Sequence, residues 1–235
     1  MIEMDAYCID LGVMPYLPAF EIQEDILSAR MLGFVPDTII LQETPRTFTI
    51  GRSGSRSNIL LSSLELLQEG IEVLEVNRGG DVTYHGPGQL IVSPLLYLGN
   101  VNKNANQYMH ALEEILIKAL AEFDIRAHSL PDYPGVWVNK AKIAAVGIAV
   151  RHGYTFHGFS LNINLDLLPF EYINPCGVVA MPVTSMQVEL GENIPAHLVK
   201  RVLLHFLEQE FTLKLQDRLL SDIKSEINFQ RAKRS

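Results

Sequence analysis

Three apolar, β-branched runs crowd into residues 135–163 with little more than turn residues between them. Residues 135–138 are followed, after Asn139, Lys140 and Ala141, by 142–150. Residues 154–163 then follow after His152 and Gly153. Gaps this short cannot hold a crossover helix, so the runs must pair as antiparallel hairpins. This stretch argues against alternating βαβ units and for an α+β fold. Further strand-like runs lie at 38–42, 47–50 and 71–76, and 90–98 is apolar but contains Pro94. Proline has no N–H to give to a ladder, so 90–98 is expected at a sheet edge or a bulge.

Helical spacing is strongest over 106–123, where Met109, Leu112, Leu116, Ala119, Leu120 and Phe123 share a stripe opposite Glu113, Glu114 and Lys118. Residues 195–211 repeat it with Leu198, Val202, Leu203, Phe206 and Leu207, and 18–32 is a weaker third. No linker or repeat divides the chain, so one domain is expected over 1–235. Residues 229–235 carry Arg231, Lys233 and Arg234 without an apolar anchor and read as a frayed tail.

Composition excludes several classes of function. The longest apolar stretches, such as 143–150, fall far short of the ~20 residues that span a bilayer, so no membrane location is expected. Glu3 and Asp5 stand where a signal peptide would be basic. A net charge of −8 provides no global field for a phosphate backbone, so nucleic acid is not the expected partner. Two cysteines, Cys8 and Cys176, cannot form a disulfide framework and read as reduced thiols of a cytoplasmic protein. Acids are absent from 44–64, which holds Arg46, Arg52 and Arg56, and from 133–165, which holds Lys140, Lys142 and Arg151. Such clearing either builds a local basic surface for an acidic partner or simply marks core strands.

Four segments could carry chemistry. Residues 77–89 place four glycines and a proline among Arg78, Thr83, His85 and Gln89. Such a loop lets a ligand approach backbone N–H groups, or it is only a tight turn. No Walker A loop and no dinucleotide fingerprint occurs there or elsewhere. Cys176 sits on a turn between Pro175 and Gly177, where a thiol can face a cleft, whereas Cys8 lies in an apolar stretch and reads as a packing residue. Lys142 opens a small-residue strand, where a lysine ordinarily snorkels at the sheet edge. Facing a cysteine, it would stabilise the thiolate. His157, beside Gly158, either lines a cavity or is a satisfied core histidine.

Taken together, Arg78-Gly-Gly-x-x-Thr-Tyr-His-Gly-Pro-Gly-Gln89, Pro134-Gly-Val-Trp-Val138, Lys142-Ile143, Thr155-Phe-His-Gly158, Leu161-Asn-Ile-Asn164 and Ile173-Asn-Pro-Cys-Gly177 resemble the lipoyl(octanoyl) transferase family. The agreement in order and spacing covers 77–186, with departures at Ala149 and over Val179, Ala180 and Met181. The resemblance implies an α+β catalytic domain of the biotin/lipoate protein ligase type, with a mixed or antiparallel sheet and flanking helices. It implies an acyltransferase moving octanoyl from acyl carrier protein to a lysine of lipoyl domains, in oxo-acid dehydrogenase E2 subunits or glycine cleavage H protein. Cys176 would be the acyl-thioester nucleophile and Lys142 the residue that lowers its pKa. Arg78, Gly79, Gly80, Asp81, Val82, Thr83, Tyr84 and His85 would bind substrate, as would Ala145, Val146 and Gly147 and, opposite them, Gly158, Phe159 and Ser160. Neither cofactor nor metal is implied. The alternative is an ATP-dependent lipoate or biotin ligase, which shares the fold and a similar lysine. A non-catalytic relative that only binds carrier protein or lipoyl domain is a third reading.

Overall fold

The computed structural model describes residues 3–131, 133–174 and 181–234. The chain opens with strand β1 (Met4–Val13), helix α1 (Tyr16–Met31) and strands β2 (Asp37–Glu43) and β3 (Thr47–Ile50). Helix α2 (Ser63–Gln68), β4 (Glu72–Glu75), β5 (Val82–His85), β6 (Gln89–Leu95) and α3 (Ala105–Ala121) follow. Then come β7 (His128–Leu130), β8 (Tyr133–Val138), β9 (Ala141–Arg151) and β10 (Tyr154–Asn162). The chain ends with α4 (Met186–Leu190), α5 (Ala196–Phe211), β11 (Leu213–Asp217) and α6 (Leu220–Arg234).

Eight strands form one sheet in the order β11-β1-β2-β6-β10-β9-β8-β7. Within this sheet, among the described residues, β1 pairs in parallel with β11 and with β2, and the other ladders are antiparallel. The hairpins expected between 135 and 163 are present. His152 and Gly153 both take positive φ, 51° and 82°, which gives a two-residue turn the twist that suits a hairpin. The central strands are buried on both faces, so their sequences run apolar rather than alternating. One face packs on α3 and α5 through Tyr108, Leu112, Leu203 and Phe211, the other on α1 and α6 through Ile22, Ile26, Ile223 and Ile227.

A second sheet, β4-β3-β5, builds its own small core from Phe48, Leu66, Tyr84 and Ile173. It stands over the open half of the large sheet and carries the glycine-rich loop.

Two expectations are corrected. Pro94 is neither at an edge nor at a bulge: β6 lies between β2 and β10, and its register to β10 runs through without a slip. The ladder is interrupted instead, and the Thr155 hydroxyl fills the gap, donating to the Pro94 carbonyl at 2.8 Å and accepting the Leu96 N–H at 3.0 Å. The tail is not frayed over 229–234, which complete α6. Its anchors are Ile223 and Ile227, one turn apart and buried, while the Arg234 guanidinium lies 4.6 Å from the Phe34 ring centroid.

Candidate functional site

A cavity of about 350 Å³ lies between the large sheet and the β3–β5 unit. Its floor is a row of paired residues crossing four strands: Ala145 on β9 faces Ser160 on β10, which faces Ile91 on β6, which faces Gln42 on β2. Beside it, Gly147 pairs with Gly158, and Ser93 also lines the cavity. These small side chains leave the room that makes the cavity. Glycine is required at 158, because a Cβ there would collide with the Val92 carbonyl and the Pro94 ring.

The roof is the loop between β4 and β5, held by Arg78. Its guanidinium donates to the Thr49 carbonyl at 2.7 Å, the Thr49 hydroxyl, the Gly79 carbonyl and the Asp81 carbonyl. Arg78 thereby acts as a clamp that shapes the loop. The Asp81 carboxylate accepts from Asn58 Nδ2 at 2.6 Å and from the Ser55 N–H, fixing the other side. The loop reaches the floor through Gly79, whose N–H donates to the Ile148 carbonyl at 3.0 Å, beyond the point where β8 stops pairing with β9.

Two histidines close the inner end. His85 contacts Thr49 Oγ1 and Gln89 Oε1, and its ring stacks on Tyr16. His157 is held by Asn77 Oδ1, stacks on Phe20 and takes a left-handed φ of 55°, while Gln23 Oε1 accepts its backbone N–H. Burial, reinforced by the Arg78 charge, pushes both rings down to about 3, so both are neutral at physiological pH.

The mouth lies at the start of β9. Tyr133, Pro134 and Gly80 are exposed there and Lys142 is half-buried. The Lys142 ammonium donates to the Pro134 carbonyl at 3.1 Å and sits 4.7 Å from the Trp137 ring centroid. Its backbone bridges to the segment after Cys176: the Lys142 N–H donates to the Pro182 carbonyl and the Thr184 N–H to the Lys142 carbonyl. Cys176 itself lies outside the described residues. Cys8 is buried in β1, and burial pushes its thiol up to about 12. Among the described residues no cluster of His, Cys, Asp and Glu could hold a metal ion, and no helix is long and apolar enough to cross a membrane.

The cavity gathers Arg78, Gly79, Gly80, Asp81, Val82, Thr83, His85, Lys142, Ala145, Val146, Gly147, Gly158, Phe159 and Ser160. Tyr84 is the exception among the described residues. Its ring turns into the small-sheet core against Phe48 and Phe170. Sequence reasoning missed Tyr16, Gln23, Gln42 and Ser93. Gln23 and Gln42 carried a signal, since each is a polar residue on the buried side of an apolar element. The basic surface is smaller than the acid-free stretches suggest. Arg46 pairs with Glu69 and Arg151 with Glu24, which leaves Arg52, Arg56 and Lys140 as its exposed cations.

Residues 15–208 match the family model described as the lipoyl protein ligase A/B catalytic domain. An octanoyltransferase from Geobacter metallireducens is 43% identical over 192 residues, covering 82% of this chain and 87% of that protein. The chain belongs to the octanoyltransferase family. Another member, from Syntrophobacter fumaroxidans, is 37% identical over 95% of this chain and 98% of its own length. The family's fold extends to solved structures of ligases. Lipoate-protein ligase A bound with ATP superposes with a TM-score of 0.75 at 14% identity, covering 96% of this chain and 93% of that one. Biotin protein ligase from Aquifex aeolicus, in complex with biotin and ATP, gives 0.55 at 15% identity over 88% and 70%. The domain is thus α+β, a large mixed sheet with flanking helices, and the octanoyltransferase family shares this fold with ligases solved with ATP bound.

Proposed function

We propose that this chain is an octanoyltransferase of lipoate biosynthesis that loads Cys176 from octanoyl acyl carrier protein and discharges it onto a lysine of a lipoyl domain. The Cys176 thiolate attacks the thioester carbonyl, and the carbon–sulfur bond to the carrier's phosphopantetheine breaks. The carrier thiol leaves with the proton that Lys142 took from Cys176. The lipoyl-domain amine then attacks the acyl-enzyme, an amide forms, and the proton lost by the amine returns to the cysteine through Lys142. The donor is already an activated thioester, so no nucleotide is required. In the glycine-rich loop the Gly79 N–H is engaged by Ile148, and Gly80 offers the backbone N–H for the oxyanion, a donor commonly worth about 3 kcal/mol. Burying the six additional methylenes at roughly 0.8 kcal/mol each favours octanoyl over acetyl.

The observation that carries this reading is the position of Lys142, at the mouth of a small-residue cavity and fastened by its backbone to Pro182 and Thr184. Chain connectivity supports Cys176 as its partner. The Asn174 N–H donates to the Asn58 carbonyl, and Asn58 in turn holds Asp81 of the cavity wall. Asn174, two residues before Cys176 in the chain, thus ends on that wall. The exposed Arg52, Arg56 and Lys140 suit an acidic carrier protein or lipoyl domain.

Intact-mass spectrometry after incubation with octanoyl carrier protein, without ATP, tests the proposal. One octanoyl adduct is expected, absent in Cys176→Ala, present in Cys8→Ser, and discharged by an added lipoyl domain. Modification that appears only with ATP and a free acid would instead make the chain a ligase.

A further inference from the structure

The inner end of the cavity is polar, which suits no part of an alkyl chain. Gln42 lines it, only 2% exposed, and its Oε1 is enclosed without a hydrogen-bond partner among the described residues. Its amide nitrogen bonds to no described residue either. Ser93 and Tyr16 stand beside it, and no strand beyond β2 lines the cavity.

The floor from Ala145 to Gln42 crosses three inter-strand steps of ~4.8 Å, about 14 Å in all. An octanoyl chain has seven C–C bonds of ~1.5 Å and, zigzagging, reaches about 9 Å. A chain entering from the Lys142 side therefore runs over β10 and ends over β6, one strand short of Gln42.

We infer that Gln42 is the residue that sets the acyl chain length: its amide, left open beyond the eighth carbon, makes any further methylene unfavourable. The inference rests on the acyl-transfer reading above. Added methylenes on apolar surface tighten binding about fourfold each. Over Gln42 they would instead cover an amide that has no partner among the described residues, and the gain is lost. The end wall thus acts by polarity, with bulk in second place. Methionine, unbranched and of similar length, removes the first without the second.

The test is the rate of acyl loading from hexanoyl, octanoyl, decanoyl and dodecanoyl carrier protein, followed by intact mass in wild type, Gln42→Met and Gln42→Ala. The ratio of decanoyl to octanoyl rate within one protein does not depend on how much of it is folded. In wild type that ratio should be well below one. It should rise about 15-fold in Gln42→Met, the gain expected from two methylenes, and Gln42→Ala should extend loading to dodecanoyl. An unchanged ratio in both variants, or wild type loading decanoyl as fast as octanoyl, would overturn the inference and leave the acyl-transfer reading standing. Wild type that loads no acyl group from any donor would remove that reading, and this inference with it.

Discussion

The Nε2 of His157 lies 2.7 Å from Oδ1 of Asn77, and the pair ties the middle of the central strand β10 to the root of the glycine-rich loop. With the amide oxygen toward the ring, Nε2 carries the proton and the imidazole is neutral. Its pKa stands at about 3 in the folded protein against 6.5 for the free side chain, as does that of His85. A group depressed in this way binds its proton on unfolding. Its contribution to stability is present above pH 6.5 and is lost as pH falls toward 3. The two histidines together should give a slope approaching about 2.7 kcal/mol per pH unit below 6.5. Denaturant titrations at pH 7.5 and pH 5 should show this loss, and His157→Asn, which tolerates the left-handed backbone, should show about half the slope. Equal stability at both pH values would mean that the rings are not held neutral.

Cys8 should be chemically silent. With its thiol pushed up to about 12 and its side chain sealed in β1, iodoacetamide at pH 8 should not label it. Cys8→Ser should retain acyl transfer and lose about 1–3 kcal/mol of stability by burying a hydroxyl in the apolar core. Labelling of Cys8 in the native protein, read by peptide mass mapping, would contradict its placement.

Lys142→Met keeps the backbone bridge to Pro182 and Thr184 and removes only the ammonium. The turnover rate should fall by about 100-fold or more. On the proposed mechanism the pH profile of Cys176 alkylation should move to higher pH, because loss of the Lys142 charge would no longer favour the thiolate. A lower rate with an unmoved alkylation profile would reduce Lys142 to a structural role.

Gly158→Ala should damage the fold itself. The new methyl would meet the Val92 carbonyl and the Pro94 ring in the middle of the sheet, where neither can move without parting β6 from β10. A loss of about 1–3 kcal/mol is expected, or several degrees of melting temperature for a domain of this size. An unchanged melting curve would show that the strands can separate there at no cost.

Much of the architecture is legible in short-range pattern. The hairpins around 139–140 and 152–153 announce themselves through turn residues, and α3 and α5 through their apolar stripes. α6 escapes because its buried apolar positions are just Ile223 and Ile227, too few to make a stripe, and Phe229 on the same helix is exposed. The floor of the site is legible as small residues on β9 and β10. Gln42 is visible as a lone polar residue in an apolar strand, but its place in the site is not, since only the sheet order sets it at the end of the row that runs from Ala145 through Ser160 and Ile91. Arg78 is visible as a residue but not as a clamp, because its partner Thr49 is 29 residues away in another strand.

The pairing of Met4 with Leu213 joins the two ends of the chain. During synthesis at ~5–20 residues per second, β1 emerges first and then waits roughly 10 to 40 s for β11 to reach it. Through that interval β1 has β2 on one side and an unpaired ladder on the other, a strand edge open to any neighbouring nascent chain. Residues 213–234, which contribute nothing to the cavity wall, serve as its late closure. A message truncated after the codon for Phe211 would release a polypeptide with every candidate catalytic residue in place and the ten-residue β1 as its sheet edge, where the finished protein presents the five-residue β11.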